Sequence, residues 1–209
     1  LLNSHLRLNR ILHIAWESLR EPLFFKYNLL AALTYAAVMA LLTVASFLFE
    51  HELGLSPAEF GATMLGLSFV YMFGAFVNGK LLHYFTMAQL VRNGIVVMWL
   101  SCIFLLVDTL FFSLSYWGLV SFIALLWLGC SALFANNSSI AFSVINKNIG
   151  VSSALFNTVQ ILFAAIVTAA ISAFSAYSTV PLSIFMVGIC LGLTALFNWK
   201  IQSKEGIKL

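Results

Sequence analysis

The chain has 209 residues, of which 62% are apolar and 8% charged, with a formal net charge of +3. Soluble domains carry roughly 25% charged residues, so a water-soluble globule of this size is excluded for want of surface charge. The small positive excess is too weak to argue for a nucleic-acid partner. What remains is a chain whose solvent is lipid.

Residues 1–24 place Leu8, Ile11, Leu12, Ala15 and Leu19 at helical spacing, with Arg7, Arg10, Glu17 and Arg20 mostly elsewhere. That pattern predicts an amphipathic helix lying on the inner membrane surface, a connector and not a binding element. The chain begins with Leu1 and nothing there resembles a cleaved signal peptide, so it reads as a piece of a longer protein. Six continuous apolar runs follow, over 25–49, 58–82, 92–115, 117–145, 151–176 and 181–200, before a tail over 201–209. About 20 helical residues cross a hydrocarbon core about 30 Å thick. Spanning β-strands would alternate apolar and polar residues instead.

The turns are short, so neighbouring spans run antiparallel. Ser56-Pro57-Ala58-Glu59 predicts a capped helix start, with Ser56 as cap, Pro57 at the first position and Glu59 bonding back. Pro181 falls near the opening of the sixth span, and Asn146-Lys147-Asn148-Ile149-Gly150 breaks the apolar run between the fourth and fifth. Threaded this way, all ten Lys and Arg fall on one side: Arg7, Arg10, Arg20 and Lys26 at the start, Lys80 and Arg92 at the second inner turn, Lys147 at the third, and Lys200, Lys204 and Lys208 at the end. Glu50, Glu52, Glu59 and Asp108 fall on the other. Cytoplasmic loops collect Lys and Arg, so both termini are expected inside.

Polar side chains are shared unequally. The fifth span carries Ser153, Asn157, Gln160, Ala164, Thr168 and Ser172 along one face, beside the small face Ala165, Ala169 and Ala173; the fourth holds Asn136, Asn137, Ser138 and Ser139. The second presents Gly66, Gly74 and Asn78 with Tyr71 nearby, and the first Asn28, Thr34, Tyr35 and Thr43. The third and sixth are almost wholly apolar. Four lined helices and two greasy ones predict a cavity with lipid-facing supports. Small faces more often let helices approach closely than hold a ligand. Buried amides such as Asn136, Asn157 and Gln160 serve packing or pathway equally well, since each must bond to another helix or face water.

Asp108 is the one acid inside a span. Sixteen residues from Arg92 at 1.5 Å each put it about 24 Å into a core of roughly 30 Å, near the outer boundary. An interfacial carboxylate fits that depth better than a proton relay.

Reactive chemistry is missing. His5, His13, His51 and His83 lie in turns or in the prefix, and Leu55 stands where a zinc-protease motif opening at His51-Glu52 would need its second His. Cys102, Cys130 and Cys190 are far apart in sequence and read as small apolar side chains. No catalytic residue, metal site or cofactor is expected.

Two stretches carry a resemblance. The first is Gly54-Leu55-Ser56-Pro57-Ala58-Glu59-Phe60-Gly61 followed by Gly74-Ala75-Phe76-Val77-Asn78-Gly79-Lys80-Leu81. The second is Phe134-Ala135-Asn136-Asn137 followed by Gly150-Val151-Ser152-Ser153-Ala154-Leu155-Phe156-Asn157-Thr158-Val159-Gln160. Both are similar to the C-terminal half of the bicyclomycin-resistance (Bcr/CflA) type drug efflux proteins of the major facilitator superfamily, and the similarity runs over essentially the whole chain. The resemblance implies an all-α half-transporter: the last six of twelve helices, in a bacterial cytoplasmic membrane, partnered by the N-terminal six. It implies that the first, second, fourth and fifth spans line the pathway and that the third and sixth support them. The sequence departs from the family in three places. Leu82 to Gln89 supplies only His83 where further basic residues and a Gly are usual, Ala135 replaces a Pro, and Asn157 replaces a Gly.

The resulting expectation is a proton-coupled antiporter exporting small amphipathic compounds. Tyr35, Tyr71, Asn136, Asn157 and Gln160 are the pathway candidates, Gly74, Asn78 and Lys80 the inner-turn candidates, and Asp108 a minor proton-coupling candidate. An exporter of one metabolite, such as a siderophore, is an alternative within transport, and a six-span scaffold subunit is one outside it.

Overall fold

The computed structural model describes residues 2–111, 115–145, 148–173 and 179–199; the side chains of residues 2–8, 111 and 179 lie outside the description. Among the described residues every element is helical: α1 (Leu2–Arg20), α2 (Pro22–Ser46), a π-helical turn (Phe47–Glu52), α3 (Pro57–Leu81), α4 (Met87–Phe111), α5 (Tyr116–Ser143), α6 (Ile149–Ala173) and α7 (Thr179–Asn198). Among the described residues six stretches are long and apolar enough to cross a bilayer: Pro22–Glu52, Pro57–Leu81, Met87–Leu110, Tyr116–Ser143, Ile149–Ala173 and Val180–Asn198. The chain is an integral membrane protein. Phe69, Phe73, Phe76, Leu100, Ile161 and Ile166 are all more than half exposed on the bundle surface, where water would not tolerate such a patch.

Local chemistry sets the boundaries, and it moves several from where hydropathy puts them. The first span starts at Pro22 and not 25, because Glu21 is extended and Pro22 occupies the first turn, where its missing N–H costs nothing. It runs on to Glu52 through the π-turn and stops at Gly54, whose φ of +71° only glycine adopts freely. The Ser56–Glu59 capping box forms as its spacing predicts: Glu59 N donates to Ser56 Oγ at 3.3 Å and Ser56 N to Glu59 Oε2 at 2.8 Å. A second box, Thr86 with Gln89, starts α4 at Met87 and not at 92. Arg92 therefore sits inside the helix. The turn holding Lys147, the end of the fifth expected span over 174–176 and the tail over 201–209 with Lys200, Lys204 and Lys208 lie outside the described residues.

Packing is organised around α2 and α5, which lie against each other. The first also packs on α6 and α7, the second on α3 and α4; α4 and α7 touch at the back. Within a triplet, α2 scarcely touches α3 and α5 scarcely touches α6. The main contacts are preserved when α2-α3-α4 is exchanged for α5-α6-α7, the exception being a small contact of α6 with α7 that α3 and α4 do not match. Each triplet has an odd number of spans, so the two run through the membrane in opposite senses. Inverted repeats of three helices give a contact pattern of this kind.

The most extensive crossing joins α4 to α5, where two glycines meet. A Cβ on Gly129 would lie 3.0 Å from Gly94 O and 2.9 Å from Met98 Cγ, and one on Gly94 would lie 3.2 Å from Gly129 O. Removing both side chains lets the backbones touch. Hydrogen bonds add to the back layer: Ser101 Oγ donates to Phe122 O at 3.0 Å and Trp99 Nε1 to Thr194 Oγ1 at 2.9 Å. Cys102 and Cys190, read in the sequence as isolated, come together there with their Sγ atoms 3.3 Å apart, both as free thiols.

One end of the bundle is basic and the other acidic. Arg20, Lys26, Lys80 and Arg92 lie at the end where α2 begins, and Glu50, Glu52, Glu59 and Asp108 at the opposite end. At the basic end Lys26 is buried and donates to Phe197 O at 2.8 Å and Trp199 O at 3.0 Å. It thereby supplies the carbonyls that the last turn of α7 leaves without partners. Helix α1 docks beside it through a buried bond between Ser18 Oγ and Ser152 Oγ at 2.8 Å, on α6. Ile11, Leu12 and Trp16 of α1 are exposed, as a surface-lying helix requires.

Candidate functional site

Helices α3 and α5 cross near the basic end and stay close through small and polar residues. Residues 71, 74 and 78 of α3 fall on one face (i, i+3, i+7), and α5 answers each of them. The Tyr71 ring meets Trp127 edge-on, with centroids 6.3 Å apart. Gly74 is buried, and a Cβ there would lie 2.5 Å from Ser131 Oγ and 3.1 Å from Leu128 Cδ2. Asn78 Oδ1 accepts from Asn136 Nδ2 at 2.8 Å, and the same amide nitrogen donates to Ala132 O at 2.7 Å. Both amides are almost fully buried. Four of the expected residues are thus gathered into one seam, where glycine gives proximity and the amide pair fixes register.

Towards the acidic end the same two helices diverge and leave a cleft of about 570 Å³. Glu59, Thr63, Gly66, Tyr116, Val120 and Ala124 line it, and the Thr63 and Tyr116 hydroxyls sit 3.1 Å apart across it. Small side chains make this space; Gly66 has nothing within 4 Å of where its Cβ would be. None of the five pathway candidates lines this cleft.

The other expected residues are placed separately. Tyr35 is half-buried on α2 and Asn157 exposed on α6. Gln160 is buried on the face of α6 that packs on α2, and its Nε2 has no hydrogen-bond partner among the described residues. Lys80 is exposed, its Nζ 4.6 Å above the Phe76 ring. Asp108 lies against the first turn of α5: a Cβ on Gly118 would be 2.8 Å from Asp108 Oδ1 and 2.9 Å from Oδ2. An acid there faces the positive end of α5 and its unbonded N–H groups. That gives Asp108 a structural use that its depth alone does not reveal.

Sequence reasoning passed over Asn28 and Asn137 as site residues. Each is buried; Asn28 Oδ1 and both amide atoms of Asn137 lack hydrogen-bond partners among the described residues. Their residue type inside an apolar run was the available signal. No group of three or more His, Cys, Asp or Glu that could hold a metal occurs among the described residues.

The architecture and these sites define a polytopic α-helical membrane protein with a polar interhelical seam and no charged residue inside its two central helices beyond Lys26. Comparison with family models, with curated proteins and with solved structures finds no match in any of the three.

The seam makes a stability prediction. Replacing Asn78 by Leu should cost about 1 kcal/mol, the scale of interhelical hydrogen bonds in bilayers. Thermal unfolding of Asn78→Leu, Asn136→Leu and the double variant in detergent micelles checks it. The double variant should be about as stable as Asn136→Leu, because both lose the Asn78–Asn136 bond and the bond to Ala132 O, whereas Asn78→Leu loses only the first.

Proposed function

We propose that the chain is the C-terminal six-helix half of a major facilitator transporter of the Bcr/CflA drug-efflux type, exporting small amphipathic compounds in exchange for protons. The observation that carries the reading is the exchange pattern of the helix contacts: two inverted three-helix units, with α2 and α5 central, α4 and α7 behind them and α3 and α6 the least covered. Transporters built from inverted repeats rock such units around a midplane site. The greasy back helices and the four polar-lined ones coincide with the two roles that this architecture requires. In this reading the exposed faces of α3 and α6 meet the N-terminal half, and the basic end lies in the cytoplasm. Tyr35 and Asn157 face the pathway and Gln160 lies buried beside it between α6 and α2, while Tyr71, Gly74, Asn78 and Asn136 hold α3 on α5 as it moves.

Efflux by the complete protein tests the reading. Cells expressing it should extrude a neutral fluorescent amphipathic dye such as Nile red and lose that ability when the proton gradient is collapsed. Gln160→Leu should lower extrusion several-fold. Unaltered dye retention with protein present in the membrane would overturn the assignment. Topology has its own check: a cysteine replacing Tyr84 should react with a membrane-impermeant maleimide only from the cytoplasmic side, and one replacing Glu52 only from outside.

A further inference from the structure

The inner end of the bundle is closed by three phenylalanines from three helices. Phe24 of α2, Phe142 of α5 and Phe156 of α6 have ring centroids 6.1 Å (24 to 142), 6.3 Å (24 to 156) and 5.0 Å (142 to 156) apart. Helices α2 and α6 both start at this end and pack along each other. Moving one turn up each from the touching rings, from Phe24 to Asn28 and from Phe156 to Gln160, keeps both positions on the same faces and raises them together by about 6 Å. The register therefore sets the two amide positions at one level, a turn above the aromatic floor. Ser138 of α5, one turn from Phe142, is half-buried at that level.

Asn28 is 1% exposed and Gln160 3%. Asn28 Oδ1, an acceptor, and Gln160 Nε2, a donor, each have no hydrogen-bond partner among the described residues. An unpaired buried polar group costs about 1–3 kcal/mol, so two complementary ones at one level call for a partner beyond the described side chains, a water or a guest. We infer that Asn28 and Gln160 form a recognition site for an uncharged substrate group carrying adjacent donor and acceptor atoms, an amide above all. A guest N–H donates to Asn28 Oδ1, and Gln160 Nε2 donates to the guest carbonyl. Neutrality follows from the surroundings: residues 27–46, 116–143 and 149–173 contain no Asp, Glu, Lys, Arg or His. A charged group there would be stripped of water with no counter-ion free to meet it, since the Lys26 ammonium is engaged by Phe197 O and Trp199 O at the end of α7. Tyr35, seven residues on from Asn28 along the same face, offers a flat wall for the apolar part of the molecule.

The inference rests on the transporter reading and narrows it to a chemical class. Its test uses the full-length protein and two probes that share one ring system and differ only in the carbonyl substituent, coumarin-3-carboxamide and methyl coumarin-3-carboxylate, with affinities measured by calorimetry in detergent. The carboxamide should bind at least tenfold more tightly than the ester. Asn28→Leu and Gln160→Leu should each bring that ratio below about threefold, because a site that hydrogen-bonds its ligand discriminates strongly against an analogue lacking the donor. If either leucine variant does not fold, Asn28→Ala and Gln160→Met give the same readout. Equal affinity of the wild type for both probes, or a ratio untouched by the substitutions, overturns the site. So does an equal loss for both probes, which marks a packing role. A wild type that extrudes Nile red yet binds neither probe also overturns it, leaving the transporter reading intact. Binding neither probe and extruding no dye overturns both.

Discussion

Gly129→Leu should destabilise the protein by about 3 kcal/mol, the upper part of the range for an overpacked core. The first carbon of any side chain at 129 would fall 3.0 Å from the Gly94 carbonyl oxygen and 3.2 Å from the Met98 nitrogen, both of them backbone. Backbone in the middle of a helix cannot swing aside as the end of a flexible side chain can. Relief must come from separating α4 and α5 as rods, and theirs is the most extensive interhelical contact in the bundle. In a bilayer the loss is not softened by a hydrophobic term, since lipid tails are as apolar as leucine and association rests on close packing. Gly129→Ala should fall between, near 1 kcal/mol. Gly188→Ala is the control: no atom lies within 4 Å of its would-be Cβ, so stability should hold or rise slightly as the helix gains propensity. Unfolding by titration with denaturing detergent, followed by tryptophan fluorescence, checks all three. A Gly129→Leu protein as stable as the wild type would mean that the two helices do not cross at these glycines.

How much of this was legible in the chain depends on how local each cause is. The spans were legible because hydropathy sums over about twenty neighbours, and the Ser56–Glu59 cap because its partners are three residues apart. Thr86 and Gln89 form an equally local box, yet the apolar window begins further on, and so the start of α4 was set at Arg92. Pairings between helices were not legible. Asn78 and Asn136 each announce a buried amide needing a partner, but 58 residues separate them and many polar residues competed for the role. Gly94 and Gly129 look like ordinary helix glycines until the helices are crossed. Cys102 and Cys190, 88 residues apart, meet for the same reason. For the candidate site, residue type singled out Gln160 but could not say that its nitrogen lies unpaired one turn above three aromatic rings. Asp108 was located by counting rise per residue, and its depth was read without the helix start that faces it. Composition fixes the solvent and local spacing fixes the ends of helices; the third dimension decides the rest.

The second large effect is expected at Lys26, which the sequence presents only as one more cation on the basic side. Its ammonium donates to Phe197 O at 2.8 Å and Trp199 O at 3.0 Å and lies 5.6 Å from the centroid of the Phe197 ring. A helix ends with four carbonyls that have no intrahelical donor and with the negative end of its dipole, and this lysine answers both. Hydrogen bonds to a charged group contribute about 1.5–3 kcal/mol each, more than neutral ones. Lys26→Met keeps the length and apolar stem of the side chain and removes the charge. It should therefore cost about 2–3 kcal/mol overall, after the surviving contacts with Tyr27 and Phe197 are allowed for. Lys26→Glu should cost more, because it sets a carboxylate against bare carbonyls. The loss should also be local: amide exchange over Leu193–Trp199 should quicken in Lys26→Met while exchange over α4 and α5 stays as it was. Lys26→Arg should restore part of the protection, since a guanidinium keeps the charge but offers a planar fork to two carbonyls that one compact ammonium now serves. A methionine variant with unaltered exchange at α7 would show that the end of the chain's last span is held by its own packing on α2 and α4, and that the buried lysine serves only to orient the bundle in the bilayer.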